Sequence, residues 1–247
     1  MTAVILQARL DSSRLPGKAL LPLGGKPLLF RVMEALRTIP AGIHVLASPE
    51  DCAREFGKTA EEAGFVFFAG PRDDVLLRYC MAIRRYGVKR VIRATGDNPF
   101  VFADAACALN TEAAALKASY SGYAGLPYGA GVESVDAESL LRAEAEASLP
   151  AEREHVCPYL YNHPELFSLH RPPAPLCWQG PDIRVTVDTQ ADYERARILY
   201  DTLSSLPGEE RFHGEAVIAA YKKAFPESTS PRRGAGPCSP RGEPGRS

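Results

Sequence analysis

Long hydrophobic runs are missing from this sequence: nothing in it approaches the roughly 18 apolar residues that a membrane-spanning helix needs. The opening, Met1-Thr2-Ala3-Val4-Ile5-Leu6, has neither a basic segment nor a long apolar stretch, so no signal peptide is expected. No two cysteines stand in a C-x-x-C spacing. Cys52, Cys80, Cys107, Cys157, Cys177 and Cys238 are scattered over 247 residues. Zinc sites draw on closely spaced ligand pairs, and a chain able to bury a full core needs no disulfide staples. Reduced thiols in a cytoplasmic protein are therefore expected. Neither sign of charge is in excess: 29 Lys and Arg oppose 30 Asp and Glu, a formal net charge of −1. A duplex-coating or membrane-surface protein needs a net basic face, so neither nucleic acid nor membrane is an expected partner. G-x-G-x-x-G is absent, which disfavours a dinucleotide site. The Walker pattern is absent too, since Ser12 and Ala19 stand where it needs Gly and Ser or Thr. No repeat recurs at a solenoid period.

What is present is an alternation of short β-rich runs and longer helical patterns. Ala3–Gln7, Ile43–Ala47, Phe65–Ala69 and Arg90–Ala94 read as strands. Pro27–Arg37, Pro49–Gly64, Asp73–Tyr86 and Ala103–Leu116 read as helices between and after them. This rhythm predicts an α/β fold, a mostly parallel sheet with helices on both faces. Beyond it, Ser119–Gly131 reads as extended with turns. Helices are expected at Ala137–Ala147, Ala151–Asn162, Gln190–Leu203 and Gly214–Ala224, and strands at Phe167–Leu169 and Ile183–Val187. One domain over residues 1–225 is expected. Residues 226–247, rich in Pro, Gly, Ser and Arg, cannot offset their ordering entropy by burial and read as a disordered tail.

The strongest local signal follows the first strand: Gln7-Ala8-Arg9-Leu10-Asp11-Ser12-Ser13-Arg14-Leu15-Pro16-Gly17-Lys18. Ligands of open α/β sheets bind outside the carboxyl ends of the strands. Arg9, Arg14 and Lys18 place three cations there, and Ser12, Ser13 and backbone N–H groups add donors, as a polyphosphate requires. Lys26, after Gly24-Gly25, is a candidate fourth cation. The alternative is a solvated basic loop. Asp97, in Thr95-Gly96-Asp97-Asn98-Pro99, follows the fourth strand on the same side. Its carboxylate suits Mg²⁺ held against phosphate oxygens, or simply an Asp-Asn-Pro turn. Asp188 follows Val185-Thr186-Val187 and is either a second such carboxylate or a helix N-cap.

The stretch resembles the signature loop of the cytidylyltransferases that activate acidic sugars, the acylneuraminate and deoxy-octulosonate enzymes. More closely it resembles the group named after spore coat polysaccharide biosynthesis protein F. Leu23-Gly24-Gly25-Lys26-Pro27-Leu28 matches that group as well, and the likeness runs from Met1 to about Tyr200. The resemblance implies a nucleotide-diphospho-sugar transferase (GT-A-like) fold. It also implies Mg²⁺-dependent transfer of a cytidylyl group from CTP to an acidic sugar or related acceptor, releasing pyrophosphate, in surface glycan synthesis. Arg14, Lys18 and Asp97 are then catalytic, and Asp97 and Asp188 hold the metal. Gln7, Ala8, Arg9, Ser12, Ser13, Lys26, Ala47, Ser48 and Arg78 bind the nucleotide, with Ala47-Ser48 in the nucleobase pocket.

Three further segments match the group. Ala151-Glu152-Arg153-Glu154-His155-Val156-Cys157-Pro158-Tyr159 makes Arg153 and His155 candidates for gripping the acceptor; the alternative is a helix start that favours acids. Arg72-Asp73-Asp74 precedes a helix, with Asp73 expected as its N-cap. Gly129-Ala130-Gly131-Val132-Glu133 places Glu133 in the acceptor site, but Gly131 stands where the group carries Asp. Asp11 and Gly96 also depart from the group, which has Gly and Ser there. Trp178 with Tyr120, Tyr123 and Tyr128 forms either a sugar wall or a dimer contact; related enzymes are commonly dimers. The alternatives are a phosphonate or other acceptor, a glycosyltransferase of the same fold, and a nucleotide-binding homologue weakened by Gly131.

Overall fold

The computed structural model describes residues 1–226, so the expected tail, Pro226 apart, lies outside the described residues. The strands are β1 (Thr2–Gln7), β2 (Pro22–Leu23), β3 (Lys26–Pro27), β4 (Ile43–Pro49), β5 (Val66–Gly70), β6 (Arg90–Thr95), β7 (Tyr120–Ser121), β8 (Glu133–Asp136) and β9 (Leu169–His170). The helices are α1 (Leu28–Arg37), α2 (Ala53–Glu62), α3 (Val75–Tyr86), α4 (Ala103–Ala115), α5 (Ala137–Glu146), α6 (Pro150–His155), α7 (Pro158–Asn162), α8 (Gln190–Leu203) and α9 (Gly214–Ala224).

Seven strands form one sheet in the order β5-β4-β1-β6-β8-β7-β9. The four on the β5 side are parallel; β8 runs antiparallel to both β6 and β7. β1 is the middle of the parallel part. Ala3, Val4, Ile5 and Leu6 are all fully buried, because successive side chains point to opposite faces and both faces are covered. Val4 and Leu6 pack with α1, α2, α4, α8 and α9, whereas Ala3 and Ile5 pack with α3, α5 and α7. The predicted fold class is the one observed.

Several elements differ from the sequence expectation. The helix expected over 151–162 is two, α6 and α7, broken at Val156. Pro158 has no N–H to give to the Glu154 carbonyl, so the helical ladder cannot run through it, and it serves instead as the first residue of α7. The chain instead makes a tight turn at Val156 (φ 74°, ψ −56°), closed by Cys157 N–H donating to the His155 carbonyl at 2.9 Å. The expected helix from Pro49 begins only at Ala53, because Pro49 still pairs in β4 and a short 3₁₀ turn intervenes. Ile183–Val187 forms no strand, only a bridge between Tyr128 and Arg184. β8 and the β2–β3 hairpin, turned by Gly24 and Gly25 at positive φ, were not expected as strands.

Candidate active site

A cleft of about 590 Å³ opens over the carboxyl ends of β1 and β6, the position that open α/β sheets reserve for ligands. Its floor is Gln7 and Ala8 from the end of β1, with Thr95, Gly96 and Asp97 from the end of β6. Gly96 N–H donates to the Gln7 carbonyl at 2.8 Å, which ties the two strand ends together. Arg9, Ser12, Ser13, Arg14 and Lys18 supply one wall. Gly17, at φ 66°, turns the chain so that the short helix from Lys18 begins under the cleft. The other wall is Arg72, Asp73, Val75 and Arg78, with Glu154 and His155 from α6.

Asp97 and Asp188 meet although 91 positions separate them. Val187 N–H donates to the Asp97 carbonyl at 2.9 Å, which brings the 185–188 segment against the end of β6. The helix cap of α8 is not Asp188 but Thr189, in a capping box with Asp192. That leaves the Asp188 carboxylate free to face the cleft. Lys18 Nζ lies between the two carboxylates, 3.0 Å from Asp97 Oδ2 and 3.1 Å from Asp188 Oδ1, and donates to the Val187 carbonyl at 2.8 Å. Arg14 approaches Asp188 Oδ1 at 3.2 Å, and Arg184 Nη2 donates to Asp188 Oδ2 at 2.6 Å. Burial pushes the Asp188 carboxyl up. The bond and charge of Lys18, with Arg14 and Arg184, outweigh that and hold it below the usual carboxylate range. Asp192 is held down likewise, its burial outweighed by Arg195, Thr189 and Arg184.

Arg78 is 3 % exposed, and its Nε and Nη1 have no hydrogen-bond partner among the described residues. A buried guanidinium left unpaired beside a cleft is a costly arrangement that an acceptor on a ligand relieves. Gln7 Oε1 is also buried without a hydrogen-bond partner among the described residues. The acid that departs from the resembled group, Asp11, accepts from Arg72 Nη1 at 2.9 Å, so its charge is countered at the cleft rim.

Gln7, Ala8, Arg9, Ser12, Ser13, Arg14, Lys18, Arg78, Asp97, His155 and Asp188 thus share one cleft. Lys26, Ala47, Ser48, Glu133 and Arg153 are not in its lining. Lys26 pairs with Glu62 at 3.2 Å and lies over the Phe30 ring. Ala47 and Ser48 are fully buried beneath the loop, Ser48 Oγ donating to the Ala8 carbonyl at 2.9 Å. Arg153 clamps α6 to α3 and α5, its Nε donating to Asp74 Oδ2 at 2.6 Å and its Nη1 to the Glu144 carbonyl at 2.8 Å. Glu133 pairs with Arg93 directly across β6 and β8, and accepts from Tyr120 Oη at 2.8 Å.

The expected cap of α3 moves by one residue: Asp74 accepts from Leu77 N–H, and Asp73 lines the cleft. The aromatic cluster is dispersed. Trp178 donates to Asp104 and packs with Tyr123, Tyr120 serves Glu133, and Tyr128 is exposed beneath the Arg184 guanidinium. Arg184 and Arg72 were not singled out from the sequence. Only Arg184's place four residues before Asp188 hinted at its role.

Among the described residues no three His, Cys, Asp or Glu side chains cluster as a metal cage. The donors at hand are two carboxylates converging on one cation position. That is the set by which Mg²⁺ is commonly held, with substrate phosphates and water completing its shell. The residues therefore fit a divalent cation that arrives with a polyphosphate.

A parallel sheet with a cationic loop and paired carboxylates at its carboxyl edge defines a nucleotidyltransferase of the nucleotide-sugar transferase fold. The cytidylyltransferase family model matches residues 3–225, and the chain belongs to that family. It is 30% identical over 210 residues to spore coat polysaccharide biosynthesis protein SpsF of Bacillus subtilis, covering 82% of this chain and 88% of that one. A cytidylyltransferase structure from Leptospira borgpetersenii superposes with a TM-score of 0.82 at 25% identity, over 90% of this chain and 94% of the other. A CMP:2-keto-3-deoxy-manno-octonic acid synthetase structure complexed with CTP shares the fold at a TM-score of 0.61 and 16% identity, over 81% and 98% of the two chains.

Proposed function

We propose that the chain transfers the cytidylyl group of CTP to an acidic sugar or a chemically related acceptor, releasing pyrophosphate, in the synthesis of a surface polysaccharide. The observation that carries this is the cleft itself: Arg9, Arg14 and Lys18 face Asp97 and Asp188 across the ends of β1 and β6. The triphosphate lies along the loop, on Arg9, Arg14, Lys18, Ser12 and Ser13. Arg78, buried with Nε and Nη1 unpartnered among the described residues, suits acceptor atoms of the nucleotide. Gln7 and Ala8 line the same end. Asp97 and Asp188 hold Mg²⁺, which neutralises phosphate charge and makes the α-phosphorus more electrophilic when bound.

The chain's own work is positioning. The loop fixes the triphosphate, and its cations stabilise the charge that builds as pyrophosphate leaves. The acceptor oxygen attacks the α-phosphorus in line. His155, at the α6 side of the cleft, is placed to donate to an acceptor hydroxyl or carboxylate. The name of the Bacillus subtilis relative and the CTP bound in the octonic acid synthetase support the nucleotide and the pathway class.

A weakened homologue is the second reading, favoured by Gly131. The Asp that the resembled group carries there is absent, although a Cβ at this position would ask only the end of the Leu126 side chain, 3.1 Å away, to shift slightly. Pyrophosphate release is measured with each of the four NTPs, Mg²⁺, and pools of sugar acids, sugars and phosphonates. Release with CTP and one acceptor pool is expected. CTP binding without release from any pool supports the second reading. Absence of binding by any NTP overturns the assignment of the cleft.

A further inference from the structure

Lys18 is fully committed as the structure stands. An ammonium has three protons to donate, and all three have acceptors: Asp97 Oδ2, Asp188 Oδ1 and the Val187 carbonyl. Its side chain is only 14% exposed. It has no donor left for a phosphate oxygen. It also occupies the point on which the two carboxylates converge, where a divalent cation held by both would sit. The charge around it is already covered. Asp97, Asp188 and Asp192 face Lys18, Arg14, Arg184 and Arg195, three carboxylates against four cations. A bare dication entering the cleft, whose lining carries five Lys and Arg against five Asp and Glu, meets a carboxylate pair already neutralised rather than an empty pair of ligands.

We infer that Lys18 is the resident counter-ion of the carboxylate pair and excludes free divalent cations until a polyphosphate draws its ammonium away. This rests on the proposal that Asp97 and Asp188 hold the metal. It adds a coupling: metal and nucleotide enter together, because the phosphates that attract Lys18 and Arg14 also uncover the carboxylates. Arg184 keeps its bond to Asp188 Oδ2, the oxygen turned away from Lys18, so the carboxylate stays oriented while Oδ1 changes partner. By linkage, whatever weakens the ammonium's hold on the carboxylates strengthens metal binding by the nucleotide-free chain.

The test is binding of Mn²⁺ alone to the nucleotide-free full chain, followed by the electron paramagnetic resonance of the free ion, with no turnover involved. Lys18→Gln is expected to bind Mn²⁺ on the order of tenfold more tightly than wild type, within the usual range of site-to-site coupling. Lys18→Arg, which keeps the cation, is expected to bind no better than wild type. Adding Asp97→Asn to Lys18→Gln should abolish the gain. Lys18→Met, equally uncharged, decides the matter if Lys18→Gln melts early. An uncharged variant that binds Mn²⁺ no better than wild type overturns the inference.

A parallel arm separates that failure from failure of the metal assignment. In the CTP-loaded chain, Mn²⁺ retention that depends on Asp97 and Asp188 upholds the assignment, and then only the role given to Lys18 falls. Retention that survives both Asp97→Asn and Asp188→Asn overturns the assignment and the inference with it.

Discussion

Replacing Glu133 by Gln separates two roles for this residue, interior counter-ion and acceptor ligand. Glu133 and Arg93 are register partners on β8 and β6, and their side chains are only 21% and 13% exposed. Tyr120 Oη holds the other carboxylate oxygen. Gln keeps the shape and an acceptor for Tyr120 but removes the charge facing Arg93, whose Nε is already buried without a hydrogen-bond partner among the described residues. Removing one member of a buried pair costs about 3–5 kcal/mol, and the residual exposure here places the cost near the lower end, about 3 kcal/mol. For a domain of this size that lowers Tm by about 6–12 °C.

The assay is urea and thermal unfolding of Glu133→Gln, and of Glu133→Leu, Arg93→Met and the double variant Arg93→Met/Glu133→Leu, which complete a cycle. Exchanging both charges for apolar groups is expected to recover most of the loss, giving a large coupling energy in the double-mutant cycle. A Glu133→Gln protein within about 0.5 kcal/mol of wild type, the range of an ordinary surface change, with a raised KM for the acceptor, would refute the counter-ion role. It would return Glu133 to the acceptor site.

Asp188→Asn should lower pyrophosphate release by about two orders of magnitude or more, the scale of losing one preorganised electrostatic contact, and should lower Tm as well, because Lys18 and Arg184 lose the charge of a carboxylate only 13% exposed. Arg184→Met removes the donor to Asp188 Oδ2 and should cost roughly 10- to 100-fold in the same assay, as partners of metal ligands do. Gly96→Ala puts a Cβ 2.8 Å from Ala8 Cβ and 3.1 Å from the Gln7 carbonyl; the strand ends must separate, at about 1–3 kcal/mol in unfolding experiments and with weaker CTP binding. His44 is kept neutral, because burial and then the Arg37 charge lower its pKa below the ordinary imidazole value of about 6.5. Arg37 donates to Nδ1, so Nε2 carries the proton given to the Ile39 carbonyl. The unfolded chain therefore takes up the proton first. This part of the stability is present above pH 6.5 and is lost as pH falls through the lowered folded value, and His44→Gln should flatten the slope in that window.

Local chemistry made much of this legible. The four apolar runs that became β1, β4, β5 and β6 could be read because strands buried on both faces need continuous apolar sequence. The loop from Gln7 to Lys18 stood out because three cations beside a Pro-Gly turn directly follow such a strand. β8 escaped notice because only four residues form it, and its meaning comes from pairing with β6 rather than from its own pattern. Arg153 and Lys26 have the residue types of ligand-binding cations, yet Asp74 with Glu144, and Glu62, hold them away from the cleft.

The layered α/β architecture and the cationic loop at the carboxyl edge of its sheet are written in the order of residues alone. Both follow from periodicity and composition within short windows. Which carboxylate is a helix cap and which faces the cleft is settled by the packing of the folded chain. It alone decided that Asp97 and Asp188 share one ammonium, and that Glu133 answers Arg93 inside the fold. Those facts depend on strand register and on crossings between segments tens of residues apart, where a partner's charge and distance fix what a side chain can do.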